Sequence, residues 1–270
     1  MICFPNAKIN VGLNILERRR DNFHNLESVF YPVDWTDVLE IVRSDSFRFT
    51  LTGIKVEGNP EENLCAKVYK SLREKYKLSP VHIHLHKNIP VGAGLGGGSS
   101  DAAFTLKLLN QLFQLNLSVQ EMQHIIRPFG SDCAFFIENK TVFAFEKGDQ
   151  FEEVSIDLRG KFLIMIYPDL HISTREAYDG IIPKQPGIRI KGCVKSEFSL
   201  WKDMLGNDFE TGIFLKYPLL AQLKERLYKM GAVYASMSGS GSTLYGIFEK
   251  EMELPNSFPE NYRTWMGFLN

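Results

Sequence analysis

Pro90-Val-Gly-Ala-Gly-Leu-Gly-Gly-Gly-Ser-Ser-Asp-Ala-Ala103 is the stretch on which the reading of this chain turns. Gly92, Gly94, Gly96, Gly97 and Gly98 let successive backbone N–H groups point into one concavity, because glycine adopts positive φ freely and carries no Cβ. Immediately afterwards Ala102, Ala103, Leu106, Leu109 and Phe113 recur at helical spacing. A glycine nest that feeds a helix N-terminus favours anions, through orphan amides and through the helix dipole. Ser99 and Ser100 place hydroxyls at its mouth, within reach of a phosphate oxygen or a phosphate-bound Mg²⁺. The stretch is a candidate triphosphate cradle. The plain alternative is a flexible turn, but ordinary turns need one or two glycines.

Two phosphate motifs are excluded by what surrounds the glycines. Gly92-Ala-Gly-Leu-Gly-Gly97 fits the letters GxGxxG, yet no acidic residue stands about 20 positions on, where a dinucleotide fingerprint requires it. The Walker loop needs lysine where Gly98 stands.

Composition narrows the class. The 270 residues are 44% hydrophobic and 23% charged, suited to one or two globular domains with a sizeable core. A formal net charge of −1 gives no global attraction to nucleic acid or membrane, so anion binding must be local. Cys3, Cys65, Cys133 and Cys193 form no CxxC pair and are expected as reduced thiols in a cytoplasmic protein. No signal-like N-terminal pattern and no apolar run of about 20 residues is present.

Outward from the glycine loop, Ile9, Val11, Leu13 and Ile15 alternate with Lys8, Asn10, Gly12 and Asn14, which predicts a strand. Its polar face has a bland reading, solvation, and a functional one. Arg18 to His24 is expected to be an exposed hairpin turn, and its three arginines are by default solvated. Asn63 to Tyr76 predicts a helix. Val81 to His86 predicts a strand that puts His82, His84 and His86 on one face; no acid or cysteine nearby completes a metal site, and none is assigned. Ser118-Val-Gln-Glu121 is a capping box. Asp132 sits in a Gly-Ser turn before an apolar stretch, as either a helix cap or a partly desolvated catalytic carboxylate. Ser173 to Tyr178 predicts a capped helical turn, and Ile181 to Lys195 an exposed loop. Ala235-Ser-Met-Ser-Gly-Ser-Gly-Ser-Thr243 is a second small-residue string, between strand-like segments. A boundary is expected in the polar region 148–160, which gives lobes 1–152 and 153–270.

Pro5-Asn-Ala-Lys-Ile-Asn10, Pro90–Ala103 and Ser238-Gly-Ser-Gly-Ser-Thr243, in this order, resemble the three signature motifs of the GHMP small-molecule kinases over essentially the whole chain. Asp21-Asn-Phe-His24 and Gly130-Ser-Asp132 resemble the branch that phosphorylates the 2-hydroxyl of a cytidine-diphosphate-linked methylerythritol, in the non-mevalonate (MEP) isoprenoid route. The resemblance implies an α+β, two-lobed enzyme with a ribosomal-protein-S5-like N-terminal lobe and a ferredoxin-like C-terminal lobe. It implies ATP and Mg²⁺, a small-molecule partner, and neither nucleic acid nor membrane; it leaves the oligomeric state open. Carried over by residue, Lys8 and Asp132 match the catalytic pair. Pro90, Val91, Gly92, Ala93, Gly94, Leu95, Gly96, Gly97, Gly98, Ser99 and Ser100 match the nucleotide loop, and Asn63 and Leu64 fall where the adenine pocket begins. Asn10 matches a residue that holds the erythritol part, His24 the cytosine-reading histidine, and Phe23 and Tyr178 the rings around the base; Phe23 stands where tyrosine is usual. The competing expectations are another GHMP kinase, of mevalonate or homoserine, and an inactive ligand sensor. Intact Lys8, Asp132 and glycine loop speak against the sensor.

Overall fold

The computed structural model describes residues 1–56, 58–187, 189–254 and 258–270. The chain divides into two compact units. The first comprises Met1–Ala7, Trp35–Val91 and Gly96–Lys140; the second comprises Lys8–Asp34, Gly92–Leu95 and Thr141–Asn270.

The first unit is built on a four-stranded sheet of order β1-β4-β6-β5, with β1 Ile2–Cys3, β4 Val38–Arg43, β5 Arg48–Gly53 and β6 Val81–Lys87. β5 and β6 run parallel, the other pairs antiparallel. One face carries Leu39, Ile41, Val81, Ile83 and Leu85, all fully buried. The helices α1 (Leu64–Tyr76), α2 (Gly97–Leu112), α3 (Val119–Ile126) and α4 (Phe135–Glu138) complete the unit. Their stripes include Cys65, Val68, Tyr69 and Leu72 on α1 and Ala102, Ala103, Leu106 and Leu109 on α2. The predicted helix starts hold: the Asn63 side chain accepts from the Cys65 N–H, and Ser118 with Glu121 makes the capping box of α3. On the other face of β6, His82 and His84 share hydrogen bonds of 2.8 Å with Thr50 and Thr52, and His86 one of 3.0 Å with Thr52.

An ion cluster lies under the start of α2. Lys87 donates to Asp37 and, at 2.8 Å, to Asp101, and all three side chains are at most 4% exposed. Burial opposes the charge of Lys87, but Asp101 and Asp37 hold its pKa above the ordinary lysine value. Burial also pushes the Asp101 carboxyl up, to about 7, against the pull of Lys87.

The second unit contains two four-stranded sheets. One has the order β2-β3-β7-β8, from β2 Asn6–Arg18, β3 His24–Thr36, β7 Val142–Glu146 and β8 Gln150–Glu153. These pairings are why the unit draws on chain from both sides of residue 152. The other sheet has the order β10-β11-β9-β12, all antiparallel, from β9 Phe162–Tyr167, β10 Tyr234–Met237, β11 Leu244–Phe248 and β12 Arg263–Phe268. In chain order that is second, third, first, fourth, the ferredoxin-like arrangement. Its helices are α5 (Thr174–Asp179), α6 (Ile190–Cys193), α7 (Trp201–Met204), α8 (Asp208–Lys216) and α9 (Pro218–Lys229). Phe162, Ile164 and Ile166 of β9 share a core with Phe209 and Ile213 of α8 and with Leu220, Leu223 and Leu227 of α9. The expected exposed loop 181–195 is corrected here: α6 interrupts it, and Ile190 and Cys193 are buried. Ile190 packs against Gly12, where an added Cβ would lie 3.1 Å from its Cδ1.

Among the described residues no helix is long and apolar enough to cross a membrane.

Candidate active site

β2 delivers Lys8 and Asn10, and the solvated reading of their face is overturned, since each is only 3% exposed. The reason lies in what covers that strand. The Lys8 N–H donates to the Leu95 carbonyl at 3.0 Å, and the Lys8 ammonium lies 3.4 Å from the Gly94 carbonyl and 4.8 Å from the centre of the Phe30 ring. It also donates to Asn10 Oδ1. Asn10 Nδ2 donates to Ser28 Oγ at 2.9 Å, so both ends of its amide are held. A buried ammonium surrounded by oxygens and a ring face is oriented as well as charged.

The Ala235–Thr243 string meets the same place. Ser238 Oγ donates to the Gly94 carbonyl at 2.8 Å, and the Thr243 N–H to the Ala93 carbonyl at 3.3 Å. Asn207 Nδ2 donates to the carbonyls of Met237 and Gly239, both at 2.8 Å, and fixes the loop's shape. Residues 92–95, β2 and the 235–243 string thus converge within the second unit. Gly94 is required by this convergence: its φ is +78°, and a Cβ there would fall 1.9 Å from the Ser238 carbonyl oxygen. Its glycine therefore serves the approach of another loop, where the sequence pattern alone points to a ligand.

In the first unit the loop runs into α2. Gly96 caps the helix in the left-handed conformation and offers no side-chain bond to the first-turn amides, whereas Asn63, Ser118, Ser173 and Asn207 each cap a helix with a side chain. Gly98 is exposed, with open space where its Cβ would be. A helix start whose first-turn amides have no capping side chain suits a phosphate. Ser99 is half-buried there, while Ser100 is buried and its Oγ has no hydrogen-bond partner. Asn63 and Leu64 open α1, the Asn63 Oδ1 being used by the cap at 2.9 Å. Asp132 is half-buried in the turn after Gly130, and the Ser131 hydroxyl donates to its Oδ1 at 3.4 Å. Next to it the Cys133 thiol is buried, and burial pushes its pKa up to about 12, so it stays protonated.

The residues expected to surround the base belong to the β2–β3 hairpin and α5. His24 and Tyr178 stack face to face, centroids 4.6 Å apart and planes 17° apart, with no room for a third ring between them. Phe209 meets Tyr178 edge-on at 4.9 Å. Phe23 is 59% exposed at the hairpin tip, with the Lys147 ammonium 5.1 Å above its ring. Burial, and then the charge of Arg18, lower the pKa of His24 below the ordinary histidine value. The residues that sequence reasoning missed are Lys87, Asp37 and His171, whose ring occupies the space beside Gly92. Lys87 had a signal: it continues the inward period of Val81, Ile83 and Leu85, where a lysine must be paired.

Comparison with known proteins gives the family. The profile of the GHMP kinases N terminal domain matches residues 63–140, and that of the GHMP kinases C terminal domain residues 190–260. A 4-diphosphocytidyl-2-C-methyl-D-erythritol kinase of Cytophaga hutchinsonii is 55% identical over 97% of this chain and 96% of its own length. One of Bacteroides thetaiotaomicron is 50% identical over 95% of each. Among solved structures, a 4-(cytidine 5'-diphospho)-2C-methyl-D-erythritol kinase superposes with a TM-score of 0.80 at 28% identity, covering 93% of this chain and 91% of that one. The homoserine kinase of Cytophaga hutchinsonii, at 0.61 and 16% identity, shares the fold. Near-complete coverage at half identity or more leaves one assignment: the chain belongs to the 4-diphosphocytidyl-2-C-methyl-D-erythritol kinase family of the GHMP kinases.

Proposed function

We infer that this protein transfers the γ-phosphoryl group of ATP to the 2-hydroxyl of 4-diphosphocytidyl-2-C-methyl-D-erythritol, a step of isoprenoid precursor synthesis. The observation that carries this reading is the 55% identity, over nearly the full length of both chains, to a relative of that name. The chemistry follows from residue types. A tertiary alcohol is a weak nucleophile, so its proton must be accepted as phosphorus is attacked. Asp132 is the proposed acceptor, and Lys8 the cation that stabilises the carboxylate and the developing oxyanion. Phosphoryl transfer otherwise demands alignment and charge neutralisation. The residues at the start of α2 fit the triphosphate, since their amides lack a capping side chain and Gly98 leaves the approach open. Mg²⁺, bound with ATP, would neutralise phosphate charge; the Ser99 and Ser100 hydroxyls are the groups that would hold it, Asp101 being engaged by Lys87.

An ADP-release assay tests the assignment. Release is expected with the cytidylyl alcohol and not with mevalonate or homoserine. Turnover of either plain alcohol at a comparable kcat/KM would overturn it.

His24, Phe23 and Tyr178 are proposed to hold the cytosine, His24 through its edge. With its pKa depressed, His24 is neutral at pH 7 and offers one ring donor and one acceptor. KM for the cytidylyl acceptor is therefore expected to be flat above pH ~6.5. It should rise about fivefold as His24 protonates at lower pH, the effect of one lost hydrogen bond of ~1 kcal/mol. Arg18→Ala removes a charge that lowers this pKa, so the acid limb should move to higher pH. A limb that stays in place in Arg18→Ala would detach His24 from base recognition.

A further inference from the structure

We propose that Lys87 and Asp101 are positioning residues of the nucleotide loop, holding its entry strand and its exit helix at the spacing the triphosphate requires. The proposal rests on the reading of residues 92–100 as the phosphate loop.

Lys87 is the last residue of β6, just before the chain enters the loop, and Asp101 lies in the first turns of α2, just after it leaves. One ammonium joins the two ends, 2.8 Å from Asp101 Oδ2. Asp37 extends the clamp along the entry. Its Oδ2 accepts from the same ammonium, and its Oδ1 accepts the N–H groups of Asn88 at 2.6 Å and Ile89 at 2.8 Å. The exit is pressed against the cluster as well. A Cβ on Gly97 would meet the Ile89 Cγ2 at 3.0 Å and the Lys87 ammonium at 3.3 Å. A side chain at position 97 would make Ile89 or the ammonium give way by a few tenths of an ångström.

An ion cluster buried in this way contributes little stability over apolar residues of the same volume, because its desolvation cost offsets the attraction. What it supplies is direction. Ion pairs and charge-assisted hydrogen bonds fix angles and distances that apolar packing leaves adjustable. The cluster sits where such definition matters, since amides that bind three linked phosphates must keep their mutual spacing to well under an ångström. The Asp101 Oδ1 has no hydrogen-bond partner, and its Oδ2 takes the Lys87 ammonium.

Steady-state kinetics, with ATP and acceptor varied separately, test this on Asp101→Asn, Lys87→Met, Lys87→Arg and Gly98→Val, each checked by thermal melting. Asp101→Asn keeps the side chain's shape and weakens the clamp. It is expected to raise KM for ATP about tenfold while kcat and the acceptor's KM stay within about twofold. Lys87→Met should act further in the same direction, and Lys87→Arg, which keeps the cation, should restore part of the ATP affinity. Asp101→Asn carries the test if Lys87→Met fails to fold. Asp101→Asn with a lowered melting temperature and unchanged KM for ATP would overturn the proposal, leaving the cluster a matter of stability. Gly98→Val separates this from the reading beneath it, because it puts a branched side chain into open space at the exposed start of α2 without touching the cluster. If Gly98→Val leaves KM for ATP unchanged, the loop reading fails and the proposal with it. If Gly98→Val raises it and Asp101→Asn does not, the proposal alone falls.

Discussion

Asp132→Asn is expected to lower kcat by about 10²–10⁴-fold, the range of a general acid–base group. The substitution keeps the side chain's size and removes its negative charge and its ability to accept a proton. Lys8→Met should fall in the same range, since it keeps most of the stem and removes the cation. Lys8 is buried and held by Asn10, by the Gly94 carbonyl and by the face of Phe30, so no other side chain moves easily into its place. Two residues serving one proton transfer are non-additive, and the double variant should be scarcely slower than either single one. ATP affinity should change little, because the proposed phosphate contacts belong to the glycine loop. Either single variant within a few-fold of the parent kcat, at saturating substrates, would remove that residue from the mechanism.

Exchanging the cytosine of the acceptor for uracil should reduce kcat/KM by roughly 10⁴-fold, as expected where a site built on hydrogen bonds meets the reversed pattern. Uracil presents O4 and N3–H where cytosine presents an amino group and N3. A ring stack alone does not distinguish the two. The edge does, and with His24 stacked on Tyr178 its ring cannot turn freely to suit the wrong base. Equal kcat/KM for the two bases would dissolve the assignment of His24 as the edge reader.

Local physics made much of this fold legible. The alternation from Ile9 to Ile15 gives β2, and Asn63, Ser118 and Ser173 mark helix starts by their own side chains. The glycine run before α2 shows where a helix opens without a capping side chain. What escaped depends on contacts between distant residues. The Lys8–Asn10 face has the pattern of a wet strand and is buried only because residues 92–95 and 235–243 return to cover it. Ile190 is hidden in a polar stretch, and its burial is set by Gly12, nearly 180 positions earlier. The need for glycine at position 94 comes from the Ser238 carbonyl, which no local pattern announces. The Lys87 cluster was half visible, as a lysine in an inward register, but its partners Asp37 and Asp101 are joined to it only by the fold.

The dependence of β2 on residues made much later bears on how the polypeptide leaves the ribosome. The Asn10 carbonyl is bonded by the Tyr245 hydroxyl, 235 positions on; the Gly12 N–H donates to the Tyr234 hydroxyl, and the Leu13 N–H to the Gly206 carbonyl. At about 5–20 residues per second, translation keeps this strand waiting for roughly 10–50 s. For that time Ile9, Val11, Leu13 and Ile15 are without their final cover, the kind of β-prone apolar segment that associates with copies of itself. Lys8, Asn10, Gly12 and Asn14 alternate with them, so Lys8 and Asn10, polar residues that end up inside the finished protein, also guard the nascent chain against aggregation.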